Sequence, residues 1–136
     1  MGTLLTYCQR FYKRQFINRI ETIGAYTSRF QLLLDAYYRE NKAGELGLPT
    51  VYYMADKLNV SSRYLSDLLK QETGKTALEL IHMHLIKEAK NLLKENRMII
   101  SEISFSLGFE NANYFARLFK KEVGIPPNVF RENNLN

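Results

Sequence analysis

Two stretches of this chain set side chains suited to DNA at helical spacing. Arg63, Ser66, Asp67 and Lys70 fall at i, i+3, i+4 and i+7, and Asn113, Ala116, Arg117 and Lys120 repeat the pattern fifty positions later. Arginine and asparagine are favoured readers of guanine and adenine edges in the major groove, so the pattern suits two DNA-facing helices. Other chemistry finds little footing. Cys8 is the only cysteine, which rules out an internal disulfide and a cysteine metal cage. His82 and His84 are the only histidines, and their i, i+2 spacing points them to different faces of a helix, unlike zinc pairs at i, i+4. Both read as surface or half-buried helix residues. There is no phosphate-binding glycine loop and no nucleophile beside an evident base, so no enzyme, no cofactor and no metal site is expected.

The elements that must carry these residues are written twice. "YLSDLLKQETG" at Tyr64–Gly74 returns as "YFARLFKKEVG" at Tyr114–Gly124. Each is preceded by a shorter helical pattern, "YYMADKLN" and "SEISFSLG", and a tight turn. Two helices crossing steeply need a small residue at the crossing, a permissive residue in the turn and apolar residues inside. The first copy supplies Ala55, Asn59, and Met54, Leu58, Val60, Leu65 and Leu68. The second supplies Ser104, Gly108, and Ile103, Leu107, Phe109, Phe115 and Leu118. The first helices are offset by 49 (Ala55 to Ser104) and the second by 50 (Tyr64 to Tyr114), which puts one extra residue in the second turn. Gly74 and Gly124 are expected to close the two longer helices.

Between the copies, "TALELIHMHLIKEAKNLLKEN" predicts one long helix at about 76–95. Thr76 and Glu79 form a capping box, and Leu78, Ile81, Leu85, Ala89 and Leu92 form its inward stripe. At ~1.5 Å per residue such a helix is ~30 Å long, close to the ~34 Å between successive major grooves on one side of a duplex. A second helix is expected to follow Ser28, with Phe30, Leu33, Leu34 and Tyr37 inward, and to end near Gly44. A last short helix is expected at about Asn128–Asn133. Apolar residues recur at helical spacing throughout, so the fold class is all-α. With 136 residues and 46% hydrophobic content the chain has room for one ordinary domain or two small helical ones.

From about Thr50 to Arg131, roughly 80 residues, the sequence resembles the DNA-binding domain of the AraC/XylS family of bacterial transcription regulators. The phrases that carry the resemblance are "MADKLNVSSRYLSDLLKQETGKTALELI" and "ISEISFSLGFENANYFARLFKKEVGIPPNVFR". It implies a seven-helix domain, two helix-turn-helix units (about 50–74 and 101–124) joined by a long helix, binding double-stranded promoter DNA to activate or repress transcription. By position, the base-reading residues it implies are Ser62, Arg63, Ser66 and Asp67 in the first unit and Ala112, Asn113, Tyr114 and Arg117 in the second. Lys70, Lys120 and Lys121 fall to phosphates, with helix N-terminal amides adding further contacts. Asp67 departs from the family pattern, whose residue there is often basic. It suits either a cytosine amino group or an ion pair with Arg63 or Lys70 on its own helix.

The net charge of +5 is not concentrated in the repeats. Residues 1–49 hold five Arg and two Lys against three Glu and one Asp, a net of +3, leaving +2 for residues 50–136. Affinity for DNA must therefore come from where charges lie. The modest charge and Asp67 are the support for the alternative, a helical protein-interaction scaffold that has lost DNA affinity. Residues 1–26 read as an N-terminal linker helix ahead of a DNA-binding domain at 27–136. The apolar stripe of that helix is expected to dock on a second copy, giving a homodimer, or on an effector or sensor domain outside this sequence, unless it covers its own core. RNA polymerase is the further partner that regulation implies. No apolar run is long enough to span a membrane, and the lone cysteine fits a reducing, cytoplasmic setting.

Overall fold

The computed structural model describes residues 25–135, and all but the last two residues of the predicted helix at 1–26 lie outside that range. Among the described residues the chain is helical with no strand. Helix α1 covers residues 25–39, followed by α2 (Lys42–Leu46), α3 (Val51–Lys57), α4 (Ser62–Thr73), α5 (Ala77–Glu95), α6 (Ile100–Ser106), α7 (Ala112–Val123) and α8 (Pro127–Asn133).

The long helix α5 is the spine. Its capping box is formed in both directions: Glu79 N–H donates to Thr76 Oγ1 at 3.0 Å, and Thr76 N–H donates to Glu79 Oε1 at 2.8 Å. It ends at Asn96, which takes the left-handed conformation (φ 55°) that asparagine adopts more readily than most residues. The N-terminal half of α5 packs into one core with Phe30, Leu34 and Tyr37 of α1, Met54 and Ala55 of α3, and Leu65 and Leu69 of α4. The C-terminal half packs into a second core with Ile103, Leu107, Phe109, Phe115 and Phe119. Each hairpin thus has its own hydrophobic centre on a shared rod.

The buried stripe of α5 is broader than the sequence pattern predicts, and shifted. Ile81, Leu85 and Ala89 are buried as expected, but Leu78 is 54% exposed and Leu92 only half-buried, while Ala77, Leu80, His84, Ile86 and Leu93 are inside. A helix gripped by a different hairpin at each end buries more than one face, and a single i, i+3, i+4 template misses that. His84 is accordingly buried rather than half-exposed, with 6% of its surface accessible.

Two corrections fall before the first unit. Helix α1 is already formed at Ala25, ahead of Ser28, and Thr27 there donates from both its N–H and its hydroxyl to the Glu72 carboxylate on α4. It stops before Asn41 (φ 60°), so Gly44 lies within α2, a separate short helix the sequence pattern did not suggest. The loop that follows is pinned by Tyr37, whose hydroxyl donates to Gly47 O at 2.8 Å. Tyr38 joins the two halves. Its ring packs against both cores, and its hydroxyl donates to Leu107 O at 3.3 Å. At the far end, Arg131 of α8 donates to Leu93 O and Met98 O, closing the C-terminus of α5 and the loop after it.

Candidate nucleic-acid interface

The two hairpins are built alike, bond for bond, as far as the turn. Leu58 N–H donates to Met54 O and Val60 N–H to Ala55 O; Leu107 N–H donates to Ile103 O and Phe109 N–H to Ser104 O, each at 3.0 Å. The crossing residues Ala55 and Ser104 are fully buried, and the permissive positions Asn59 (φ 60°) and Gly108 (φ 104°) hold positive φ. After that the second turn gains its extra residue. Ser61 caps α4 by accepting from Tyr64 N–H, and Asn111 caps α7 by accepting from Asn113 N–H and Tyr114 N–H. Val60 matches Phe109 and Ser61 matches Asn111 in role, so the insertion is Glu110, an exposed acid at the mouth of the second turn.

From the caps onward α4 and α7 run in register for twelve residues each. Arg63, Tyr64, Asp67, Lys70 and Gln71 are exposed on α4, and Asn113, Tyr114, Arg117, Lys120 and Lys121 on α7. The predicted base-facing residues Ser62 and Ser66, and their counterparts Ala112 and Ala116, flank this stripe half-buried. The structure therefore brings the sequence-predicted residues of each unit onto one outward face, with the lysines in the last turn.

The faces differ in charge. Helix α4 carries Arg63 and Lys70 against Asp67 and Glu72, and Glu72 is already engaged by Thr27; α7 carries Arg117, Lys120 and Lys121 against Glu122. The ion pair expected of Asp67 with Arg63 or Lys70 is not formed: the ion pairs within 4.0 Å among the described residues are elsewhere. Exposed pairs of this kind gain little from meeting. The tyrosines also diverge. Tyr64 packs edge-on to Tyr26 of α1 (6.2 Å between centroids), and Tyr114 edge-on to Phe109 in its own turn (5.3 Å). The N-caps consume one amide in α4 and two in α7, leaving fewer free for phosphate than the bare helix ends suggest.

One feature of the interface escaped the sequence. The segment Leu46–Leu48, where α2 ends, closes against the second turn and, with Gly108, Glu110, Asn111 and Tyr114, lines a shallow cleft beside the start of α7. Gly108 is at the contact, where an added Cβ would lie 2.6 Å from Gly47 C and 2.7 Å from Leu48 N. The turn glycine was legible, but its second duty against a loop sixty residues earlier had no local signal.

A helix-turn-helix domain profile matches residues 54–133, more than half of the chain and both hairpins with the rod between them. The chain belongs to the AraC/XylS family. Among curated relatives it is 37% identical over 73 residues to the HTH-type transcriptional activator RhaR of Cronobacter sakazakii, a match covering 54% of this chain and 26% of that protein. It thus spans about a quarter of the length of the curated relatives it matches. Among solved structures it is similar to the C-terminal domain of AraT, a response regulator from Geobacillus stearothermophilus, with 28% identity and a TM-score of 0.67 over 79% of this chain and 84% of that one. It is also similar to the C-terminal domain of the two-component response regulator yesN from Fusobacterium nucleatum, at 30% identity and a TM-score of 0.63 over 74% of this chain and 96% of that one. The AraC-type fold of two helix-turn-helix units on a connecting helix is therefore the fold of this chain. Among the described residues no helix is long and apolar enough to cross a membrane.

Proposed function

We propose that this chain is the DNA-binding part of a bacterial transcription regulator, a non-catalytic protein that sets α4 and α7 into successive major grooves of promoter DNA. The supporting observation is the register of the two helices: the same five positions are exposed on each, and the 19-residue α5 that separates them is ~28 Å long. That length suits two grooves about one turn apart. In this reading Ser62, Arg63, Ser66 and Asp67, and Ala112, Asn113, Tyr114 and Arg117, meet base edges, while Lys70, Lys120 and Lys121 meet phosphates. Function in the bacterial cytoplasm with RNA polymerase, and docking of residues 1–26 on a second copy or a sensor domain, belong to the same proposal.

Fluorescence anisotropy with a labelled duplex selected from genomic fragments tests it. Binding to the selected duplex should outcompete random duplex by roughly a thousandfold or more and weaken steeply as salt rises, because phosphate contacts release counterions. Equal competition by random duplex at low salt would contradict sequence-specific reading, and no binding to either duplex would favour the scaffold.

A further inference from the structure

The histidine that the sequence pattern placed near the surface is the most unusual polar group of the described chain. His84 of α5 has 5% of its side chain accessible, and its Nε2 is buried with no hydrogen-bond partner among the described residues. A buried imidazole nitrogen without a partner is costly, so its surroundings matter. Two carboxylates face it. Asp35 Oδ1 comes from α1 and lies 3.5 Å away; Glu88 Oε2 lies one turn along α5 at 3.6 Å. Both separations are too long for a hydrogen bond to Nε2, yet all three donor atoms lie within 4.8 Å of one another.

These separations have a simple chemical meaning. Donors held about 2.1 Å from a tetrahedral metal sit about 3.4 Å apart, so the Nε2–Oδ1 and Nε2–Oε2 distances are those of ligands around one ion. We propose that His84 Nε2, Asp35 and Glu88 form a site for one divalent transition-metal cation of the zinc class, bridging α1 to α5. One imidazole and two carboxylates suit zinc and its neighbours, whereas magnesium prefers an all-oxygen octahedral shell. His84 and Glu88 at i, i+4 share one helix face, the spacing that helical zinc sites use. The outer side is open: the side chain of Asp35 is 47% exposed and that of Glu88 32%, which leaves room for the ion to arrive and for water to complete its shell.

The inner side is prepared. The Tyr38 ring stacks on the imidazole, 5.5 Å between centroids and 30° from parallel, and fixes its plane. Burial holds the His84 pKa below that of a free histidine, against the pull of Glu88 and Asp35, and so favours the neutral form that binds metal. Tyr38 also reaches Leu107 O, so an ion at this site would stiffen the joint between the two hairpins.

The test uses the whole chain, stripped with EDTA and titrated with zinc chloride alone. Calorimetry should show one ion per chain, and a hundredfold excess over Kd should raise the melting temperature by several degrees. Asp35→Asn and Glu88→Gln keep shape and fold at half-exposed positions, and each should weaken zinc binding at least about tenfold, with the pair abolishing it. His82→Ala and Cys8→Ser, which change the other soft donors of the chain, should bind zinc like the parent, and millimolar magnesium should leave the melting temperature unchanged. Absence of a one-to-one site overturns the proposal. Zinc binding that survives Asp35→Asn/Glu88→Gln, or that disappears in His82→Ala or Cys8→Ser, overturns it equally, since the ion would then be held elsewhere.

Discussion

Gly108→Ala is expected to destabilise the protein by about 3–5 kcal/mol and to loosen the second helix-turn-helix unit first. Two costs combine. At φ 104° the backbone lies where an L side chain is strained. The new methyl group would also stand 2.6 Å from Gly47 C, 2.7 Å from Leu48 N and 2.9 Å from Gly47 O, all backbone atoms that no rotamer change can remove. Relief requires the Gly47–Leu48 loop to retreat, which pulls on the Tyr37 hydrogen bond to Gly47 O. The comparison that isolates the contact is Gly124→Ala. That glycine has a similar φ of 98° but nothing among the described residues within 4 Å of its added Cβ, so only the backbone strain, about 1–2 kcal/mol, should appear. Urea denaturation of the two variants measures the difference. Equal losses would mean that the loop does not press on the second turn.

Arg117→Ala carries the largest expected effect on DNA. It should cost about 1–3 kcal/mol of specific binding, up to a hundredfold in Kd, with preference relaxed at one base position. Arg117 is exposed at the centre of the outward face of α7 and has no acidic partner within 4.0 Å among the described residues, so its guanidinium is free to make a bidentate contact. Its counterpart Asp67 is equally exposed and has no basic partner within 4.0 Å among the described residues, but repels phosphate. Asp67→Ala should therefore cost less specific affinity than Arg117→Ala and strengthen binding to random duplex. Anisotropy titrations of both variants against selected and random duplexes read the order directly. The reverse order would make the first unit the dominant reader.

Much of this was open to inspection in the sequence because the fold is governed by short-range rules. The glycine stops, the Thr76–Glu79 box and the offset that grows from 49 to 50 are local statements, and each has a local structural counterpart. The turn bonds even identify Glu110 as the inserted residue, which the offset alone could not single out. What stayed hidden depends on contacts between distant segments. Helix α2 is five residues long, too short to show a period. Burial of His84 follows from α1 lying across α5, and the spacing of two histidines within one helix carries no trace of that. The outward stripe was legible as residue types, but whether Asp67 pairs with its neighbours is a rotamer question that spacing leaves open.

In the proposed function one chain sets two equivalent helices into successive grooves. Hydroxyl-radical footprinting of the chain on a duplex selected from genomic fragments tests it most directly. Two protected patches are expected on the same side of the duplex, centred about one helical turn, 10–10.5 base pairs, apart. In the Arg117→Ala variant the patch under α7 should fade first. A single protected patch, or two on opposite sides of the duplex, would contradict it.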